Sequence, residues 1–243
     1  MSDRTRGEAA IAVVIGRAGS KGLPGKNARM IAGQPMIAHS VRHALAANSI
    51  NRVYCSTDGD SIARAAEEAG AMVVMRPAEL ADDHATVDSA VRHAVETTGD
   101  DAEIVVILYG NIPVRPEGLV DRAVEMLRST NADSVQSYAP VGKHHPYWMM
   151  RMNSMDQVEP WQENTVYRRQ DLPEALIPDG GVIAVRRKSL FAVDPDQPHA
   201  FLGNDRRGVR NGEGEVIDVD TEVDFRMAEA VLETSDVPGG SRA

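Results

Sequence analysis

Short apolar segments alternate with amphipathic segments along most of this 243-residue chain, and the alternation limits the folds open to it. The apolar segments are rich in β-branched residues and predict buried strands at 11–15, 52–56, 72–75, 104–108, 181–185 and 216–219. Apolar residues at helical spacing predict helices at 34–48, 61–69, 86–97, 117–128 and 222–233. Strands that alternate with helices predict an α/β fold whose mostly parallel sheet is covered on both faces.

Segment 141–176 breaks this alternation. It is rich in Met, His, Pro, Trp and Arg, has no clear period, and contains Trp148 and Trp161, the two tryptophans of the chain. Large apolar side chains in an aperiodic segment are typical of an interface, although a loop that covers the subunit's own core fits equally well. We predict a single domain over 8–233 with an arm or flap inserted at about 141–176, and a homodimer formed through this arm.

The composition argues against several classes of function. Asp plus Glu total 36 against 26 Lys plus Arg, a formal net charge of −10, which disfavours a nucleic-acid partner but not a small phosphate ligand. Cys55 is the single cysteine, so neither an intrachain disulfide nor a cysteine-based zinc site can form, and we expect it in the core. No apolar run approaches the ~20 residues that span a membrane, and no signal peptide is recognisable. We therefore expect a cytoplasmic protein with no membrane partner.

A glycine-rich loop, residues 16–27 with the sequence GRAGSKGLPGKN, directly follows the first predicted strand. Its glycines let a ligand approach the main chain, and its cations are Arg17, Lys21 and Lys26. Successive backbone N–H groups and such cations form an anion-binding nest, and open parallel sheets bind ligands at the carboxyl ends of their strands. The loop therefore predicts a phosphate site, with a solvated basic turn as the alternative, although it matches neither GxxxxGK[ST] nor GxGxxG.

The loop resembles the signature of the cytidylyltransferases that activate sialic acids and related 2-keto-3-deoxy sugar acids, approximately A-R-x-x-S-K-G-x-P-x-K-N. Gly16 stands in place of the Ala, and the matching residues are Arg17, Ser20, Lys21, Gly22, Pro24, Lys26 and Asn27. Further blocks resemble the family in the same order, namely STDG at 56–59, RPAEL at 76–80, Pro113 and Arg115, His145-Pro146, RRQDLP at 168–173 and VIDVDTEVD at 216–224. The resemblance covers about residues 10–233 and implies an enzyme with a Rossmann-like nucleotidyltransferase fold.

This resemblance implies a Mg²⁺-dependent transfer of CMP from CTP to an acidic sugar, with release of pyrophosphate. The residues that it implies for nucleotide binding are Arg17, Ser20, Lys21, Lys26, Asn27, Arg76 and Asp83. Cations held around a leaving pyrophosphate stabilise the transition state. We expect Lys21 and Arg17 to act catalytically in this way.

Asp218 and Asp220 are the predicted metal ligands and complete the predicted catalytic set. Residues i and i+2 of a strand point to the same face, and two carboxylates on one face form a hard oxygen site suited to Mg²⁺. The alternative is an acidic strand end that caps the following helix. We favour this capping role for Thr221 and Asp224, and the metal role for the aspartate pair.

Arg168 and Arg169 are predicted to bind the acceptor, because arginine grips carboxylates bidentately. The alternative is a structural salt bridge to the nearby Asp171 or Glu174. Both interpretations stay open at the level of the sequence.

The sequence departs from the family pattern mainly on the acceptor side. Tyr109 replaces the Gln of the family's QPTSPLR stretch, and Asn111 stands where the enzymes for the eight-carbon sugar acid have a metal-binding Asp. Asp179 and Ile183 replace the Asn and Tyr of the N-G-A-I-Y block, and Trp148 stands where the family has a Lys. A site that lacks groups to pair with sugar hydroxyls binds that sugar poorly. We therefore predict a different acid, held in part by Tyr109, Asn111 and Asp179.

That acid would be another nonulosonic acid or a smaller anion, such as phosphonoformate in a phosphonate pathway. Two further hypotheses are a non-catalytic nucleotide-binding protein of the same fold and a nucleotidyltransferase that uses UTP or ATP. The retained loop cations and the aspartate pair argue against the non-catalytic protein.

Overall fold

A computed structural model describes residues 8–19 and 22–235 of the chain. Its strands are β1 (Ala10–Ile15), β2 (Met30–Ile31), β3 (Gln34–Pro35), β4 (Arg52–Thr57), β5 (Met72–Met75), β6 (Ile104–Tyr109), β7 (Ser134–Pro140), β8 (Met150–Met152), β9 (Val158–Pro160), β10 (Leu176–Arg186) and β11 (Arg206–Arg210). Its α-helices are α1 (Met36–Ala46), α2 (Asp60–Glu68), α3 (Val87–Thr98), α4 (Leu119–Thr130), α5 (Arg187–Leu190) and α6 (Glu222–Ser235). Short 3-10 helices lie at Lys26–Ala28, Ala78–Leu80, Gly142–His144, Pro146–Trp148, Arg169–Asp171 and Ala200–Leu202.

The central sheet has the strand order β11-β7-β10-β6-β1-β4-β5. Its parallel pairs are β6/β1, β1/β4, β4/β5 and β7/β11, whereas β10 runs antiparallel to both β6 and β7. Helices α1, α2 and α3 lie between successive parallel strands in the sequence, because such strands need long crossover connections. The predicted α/β, Rossmann-like fold with a mostly parallel sheet is confirmed.

Strand β1 is an interior strand of the sheet, between β6 and β4, and all of its residues are buried. Ala12 and Val14 pack in one apolar cluster with residues of α1, α2 and α4, whereas Val13 and Ile15 pack with α3 and α5 in a second. Both faces of the sheet are therefore covered, as predicted. Polar ligands can reach the central strands only where the strands end.

A third apolar cluster fixes the segment before α6 against the glycine loop. Leu23 of that loop packs in it with Val219 and with Phe225 of α6. Burying these side chains holds the glycine loop, which follows β1, against the segment that precedes α6. This contact brings Asp220 beside the loop.

Two sequence predictions of secondary structure are wrong in detail, and two strands of the central sheet were missed. Residues 216–219 form no strand of the central sheet, and Ile217 makes only an isolated antiparallel bridge with Val114. Helix α1 begins at Met36 rather than at residue 34, because Gln34 and Pro35 pair with β2 in a hairpin. Strands β7 and β11 were not predicted.

Strands β7 and β11, the two strands of the central sheet that were not predicted, lack an apolar pattern for a physical reason. Two buried positions of β7 are serines whose hydroxyls are satisfied, since Ser134 donates to the Leu202 carbonyl at 2.7 Å and Ser137 to the Asp179 carboxylate at 2.5 Å. Strand β11 lies at the sheet edge, where Val209 is its single buried residue. Hydropathy alone therefore gives little signal for either strand.

The inserted segment at 141–176 contains the β8–β9 hairpin and three short 3-10 helices. Every residue of β8 and β9 is exposed, so this hairpin does not cover the subunit's own core. The large exposed apolar side chains of the segment are Met149, Met150, Met152, Met155, Val158, Trp161, Tyr167 and Leu176. These side chains form no part of the three apolar clusters of the described residues.

Candidate active site

A cavity of about 430 Å³ opens at the carboxyl ends of β1 and β6. Its wall combines the glycine loop, the segment between β5 and α3, and Asp220. Most of the predicted nucleotide-binding residues line it, namely Arg17, Lys26, Asn27, Arg76 and Asp83. The predicted residues Ser20 and Lys21 lie outside the described part of the chain, so their roles stay predictions.

Lys26 links the glycine loop to the C-terminal segment. Its Nζ lies 2.5 Å from Asp220 Oδ1 and donates to the Val219 carbonyl at 3.0 Å. Gly22 lies opposite the same segment, and a Cβ built on it would come within 2.6 Å of the Asp220 carbonyl oxygen. Glycine is therefore required at position 22 for this close approach.

Arg17 and Asn27 shape the start of the loop. Arg17 Nη1 lies 3.1 Å from Asp83 Oδ1 and donates to the Asp82 carbonyl at the same distance. Asn27 is buried, and its Nδ2 donates to the Arg17 carbonyl at 2.9 Å. The guanidinium of Arg17 is thus held at the cavity wall by the segment that follows β5.

Asp218 and Asp220 lie on an irregular segment rather than on a strand, and of the two Asp220 is the one that lines the cavity within the described residues. Asn111 Nδ2 donates to Asp218 Oδ1 at 2.5 Å and lies 3.5 Å from Asp220 Oδ1, so one amide nitrogen contacts both carboxylates. Burial raises the pKa of Asp218 to about 6, and the negative charge of Asp220 adds to the rise. The two carboxylates therefore share one environment, although the predicted strand is absent.

Thr221 and Asp224 cap α6, as predicted. The Asp224 carboxylate accepts from the Thr221 backbone N–H at 2.8 Å, and the Thr221 hydroxyl accepts from the Asp224 N–H at 3.3 Å. This reciprocal pair is a capping box. It orients the chain immediately after Asp220.

Arg115 binds the backbone next to the site, and no role was predicted for it from the sequence. It is buried, and it donates to the Gly181 carbonyl at 2.6 Å and to the Tyr109 carbonyl at 2.9 Å. Burial lowers the pKa of its guanidinium to about 9. Its bonds fix the loop that carries Asn111, but the sequence does not reveal that an arginine between two prolines, Pro113 and Pro116, is buried.

The predicted acceptor residues divide into two groups. Tyr109 and Asn111 line the cavity. Asp179 instead binds structural partners, since it accepts from Ser137 at 2.5 Å and from Asn211 Nδ2 at 2.8 Å. It is not among the described residues that line the cavity.

The two arginines of the arm also lie away from the lining. Arg168 pairs with Asp171 at 2.7 Å, which is the salt bridge considered as the alternative above, and Arg169 Nη2 lies 3.9 Å from Glu213. Both arginine side chains are mostly exposed. Within the described part of the chain neither contributes to the cavity wall, and their binding to an acceptor stays a prediction.

Cys55 lies in β4 and is buried, as expected for a core residue. Burial raises the pKa of its thiol to about 12, so the thiol stays protonated at neutral pH.

Residues 8–19 and 22–235 include no helix with the length and apolarity needed to cross a bilayer.

The chain shares its fold with two solved structures. A structure of CMP:2-keto-3-deoxy-manno-octonic acid synthetase complexed with CTP is similar to it with a TM-score of 0.72 at 19% identity, covering 93% of this chain and 99% of that one. A 4-diphosphocytidyl-2C-methyl-D-erythritol synthase from Anaerococcus prevotii has a TM-score of 0.63 at 14% identity, with the same coverage.

Residues 11–191 match a family model described as cytidylyltransferase, and the chain belongs to this family. It is 30% identical to a CMP-N,N'-diacetyllegionaminic acid synthase of Legionella pneumophila, over 92% of this chain and 96% of the relative. It is 28% identical to an N-acylneuraminate cytidylyltransferase of Streptococcus agalactiae, over 88% of this chain. The chain spans about half, 51%, of the length of that streptococcal relative.

Proposed function

We propose that this protein transfers CMP from CTP to an acidic sugar acceptor, a sialic-acid-like nonulosonic acid or a related 3-deoxy sugar acid, and releases pyrophosphate. One observation carries the proposal. Arg17 and Lys26 of the glycine loop share a cavity with Asp220, which lies 194 positions beyond Lys26 in the sequence. The names of the streptococcal and Legionella relatives support an acceptor of this class.

In the proposed reaction an acceptor oxygen forms a bond to the α-phosphorus of CTP. The bond from this phosphorus to the bridging oxygen of the β-phosphate breaks, pyrophosphate leaves, and the acceptor hydroxyl gives its proton to solvent. Arg17 and Lys26 are positioned to take up the growing negative charge of the leaving group. The reaction needs no protein nucleophile.

Asp218 and Asp220 fit a Mg²⁺ ion. Their carboxylate oxygens are the hard ligands that this ion prefers. Both carboxylates already contact the same amide nitrogen, Asn111 Nδ2, so they lie close together. A bound Mg²⁺ would neutralise charge on the phosphate oxygens. No cluster of three or more His, Cys, Asp or Glu suited to a metal occurs among the described residues, and Mg²⁺ in nucleotide sites is often held by one or two carboxylates and the substrate phosphates.

The acceptor side is the part in which this chain departs from its family. Tyr109 presents a half-buried phenol to the cavity, and a Cβ built on Gly180 would lie 3.4 Å from its ring. We propose that Tyr109 and Asn111 contact the acceptor next to the aspartate pair. Arg168, Arg169 and Asp179 would take part only after a rearrangement of the pairs described above.

We further propose a homodimer that buries the exposed apolar surface of the arm. Met152, Met155 and Trp161 are 64%, 71% and 64% exposed. Several large apolar side chains that are exposed in one segment are typical of an interface. A cytoplasmic location, in which CTP is available, stays a prediction.

The decisive experiment is a pyrophosphate-release assay of the purified protein with CTP and Mg²⁺. It uses N-acetylneuraminate, N,N'-diacetyllegionaminate, 3-deoxy-manno-octulosonate and phosphonoformate as acceptors, with UTP and ATP replacing CTP in parallel. We expect turnover with CTP and at least one of the sugar acids, and formation of the corresponding CMP-sugar by mass spectrometry. Turnover confined to phosphonoformate or to another nucleotide would overturn the proposal.

A further inference from the structure

Asp58, the first residue after β4, contacts the glycine loop without lining the cavity. Its Oδ1 accepts a hydrogen bond from the Ala18 backbone N–H at 2.9 Å. The next residue, Gly59, also lies against the loop, since a Cβ built on it would lie 3.0 Å from Ala18 Cβ. The loop start and the β4 loop are therefore in direct contact.

Three successive residues at the start of the loop, Gly16 to Ala18, are each held by a hydrogen bond, and the bond of Ala18 N–H is the third. Gly16 N–H donates to the Ser56 carbonyl at 3.1 Å, and the Arg17 carbonyl accepts from the Asn27 side chain at 2.9 Å. The Asp58 bond differs from these two because its acceptor is a carboxylate, and charge-assisted hydrogen bonds are the stronger ones. It holds the residue next to Arg17, which lines the cavity.

The same Asp58 oxygen lies 3.9 Å from Arg76 Nη2. Arg76 lines the cavity with a side chain that is only 5% exposed, and its Nε has no hydrogen-bond partner within the described part of the chain. A buried guanidinium needs a counter-charge. Asp58 supplies negative charge to this arginine while it holds the loop.

We propose that Asp58 is a positioning residue for nucleotide binding: it fixes the glycine loop through Ala18 N–H without touching the ligand. The inference rests on the proposed use of CTP. A fixed backbone at Ala18 holds the neighbouring Arg17 at the cavity wall before the ligand arrives, which lowers the entropic cost of binding. Loss of the bond therefore weakens nucleotide binding more than loss of the charge alone, which leaves an accepting oxygen for Ala18 N–H but removes the counter-charge of Arg76.

Asp58→Ala and Asp58→Asn separate these two effects, because asparagine keeps an accepting oxygen at the same place. Asp121→Ala is a matched control, since Asp121 also accepts from backbone N–H groups, those of Asn48 and Ser49, but lies away from the loop. Calorimetry with CTP and Mg²⁺ gives the Kd, and NMR gives the hydrogen-exchange rate of the Ala18 amide. Thermal unfolding checks that each variant is folded.

We expect Asp58→Ala to raise the Kd for CTP about tenfold and to speed Ala18 exchange at least about tenfold. Asp58→Asn should raise the Kd less, about threefold, because it removes the counter-charge of Arg76, and should leave Ala18 exchange within about twofold of the wild type. Asp121→Ala should leave the Kd unchanged. Wild-type affinity in Asp58→Ala, or equal losses in Asp58→Asn and Asp58→Ala, would overturn the positioning role. If the wild type binds no CTP, the proposed function fails, and the Ala18 exchange rates still decide for or against the positioning role.

Discussion

Lys26 and Asp220 form an ion pair of 2.5 Å although 194 positions separate them in the sequence. The lysine side chain is 14% exposed and the carboxylate 67%. The pair thus joins the predicted phosphate loop to the predicted metal site.

Lys26→Ala should reduce kcat/KM for CTP by about a hundredfold, because it removes a cation placed beside the leaving pyrophosphate. The fold should survive, since the partner carboxylate is exposed to solvent. Lys188→Ala is the control: this lysine is 71% exposed and pairs with Asp133 at 3.5 Å on the surface. Pyrophosphate release and thermal unfolding measure both effects, and equal activity of the two variants would contradict the assignment of Lys26.

Gly22→Ala should destabilise the protein by about 1–3 kcal/mol, because the new Cβ would meet the Asp220 carbonyl oxygen at 2.6 Å and that backbone is held by the apolar cluster beneath α6. Gly19→Ala in the same loop is the control, since a Cβ there meets nothing within 4 Å. Urea unfolding of both variants gives the free energies. A Gly22→Ala protein as stable as Gly19→Ala would show that the loop and the C-terminal segment are not in close contact.

Asp218→Asn and Asp220→Asn should each weaken Mn²⁺ binding, measured by electron paramagnetic resonance with CTP present, by at least about tenfold. A neutral amide oxygen is a poorer ligand for a hard divalent cation than a carboxylate. Asp224→Asn should lower stability through the α6 cap but leave Mn²⁺ binding unchanged. Loss of metal in the Asp224 variant alone would refute the assignment of the ligands.

His43 should make the protein less stable in mild acid. Burial lowers the pKa of its imidazole to about 4, with Arg115 adding to the effect. The native state then binds fewer protons than the unfolded state, whose histidines titrate near 6.5, so this contribution is complete above pH 6.5 and is lost as the pH falls toward 4. Between pH 7.5 and 4.5 the loss is about 2 kcal/mol.

The comparison with His43→Gln isolates this contribution. Asp218, with its raised pKa, acts in the opposite direction over part of the same range, since its native state binds more protons. Both proteins share that opposing effect, so the difference between their free energies of unfolding reports His43 alone. Parallel pH profiles of the two proteins would contradict the prediction.

The proposed homodimer predicts that Trp161→Glu, or Met152→Glu, produces a monomer in sedimentation velocity runs. A carboxylate at the centre of an apolar interface is costly to bury. Val193→Glu is a suitable control, because Val193 is 64% exposed, like Trp161, but lies outside the arm. A wild type that sediments as a monomer at micromolar concentration would refute the dimer.

The sequence was sufficient for the part of the fold built from apolar periodicity and for several of the residues that line the cavity. Strands such as β1 and β6 are apolar throughout, and the residue types of the glycine loop alone predict an anion site. The sequence did not show which side chains meet: Asp58 reaches Ala18, and Arg168 turns to Asp171. Such pairings depend on tertiary packing, which local patterns do not contain.

The irregular segment that carries Asp218 and Asp220 follows every strand of the central sheet in the sequence. On a translating ribosome, the whole sheet and the glycine loop therefore emerge before the two carboxylates do. A nascent chain can form its sheet while the predicted metal ligands are still inside the exit tunnel. The predicted metal ligands thus join the fold only after the whole sheet has been made, and a chain shortened before residue 218 would retain all the strands of the central sheet without these two carboxylates.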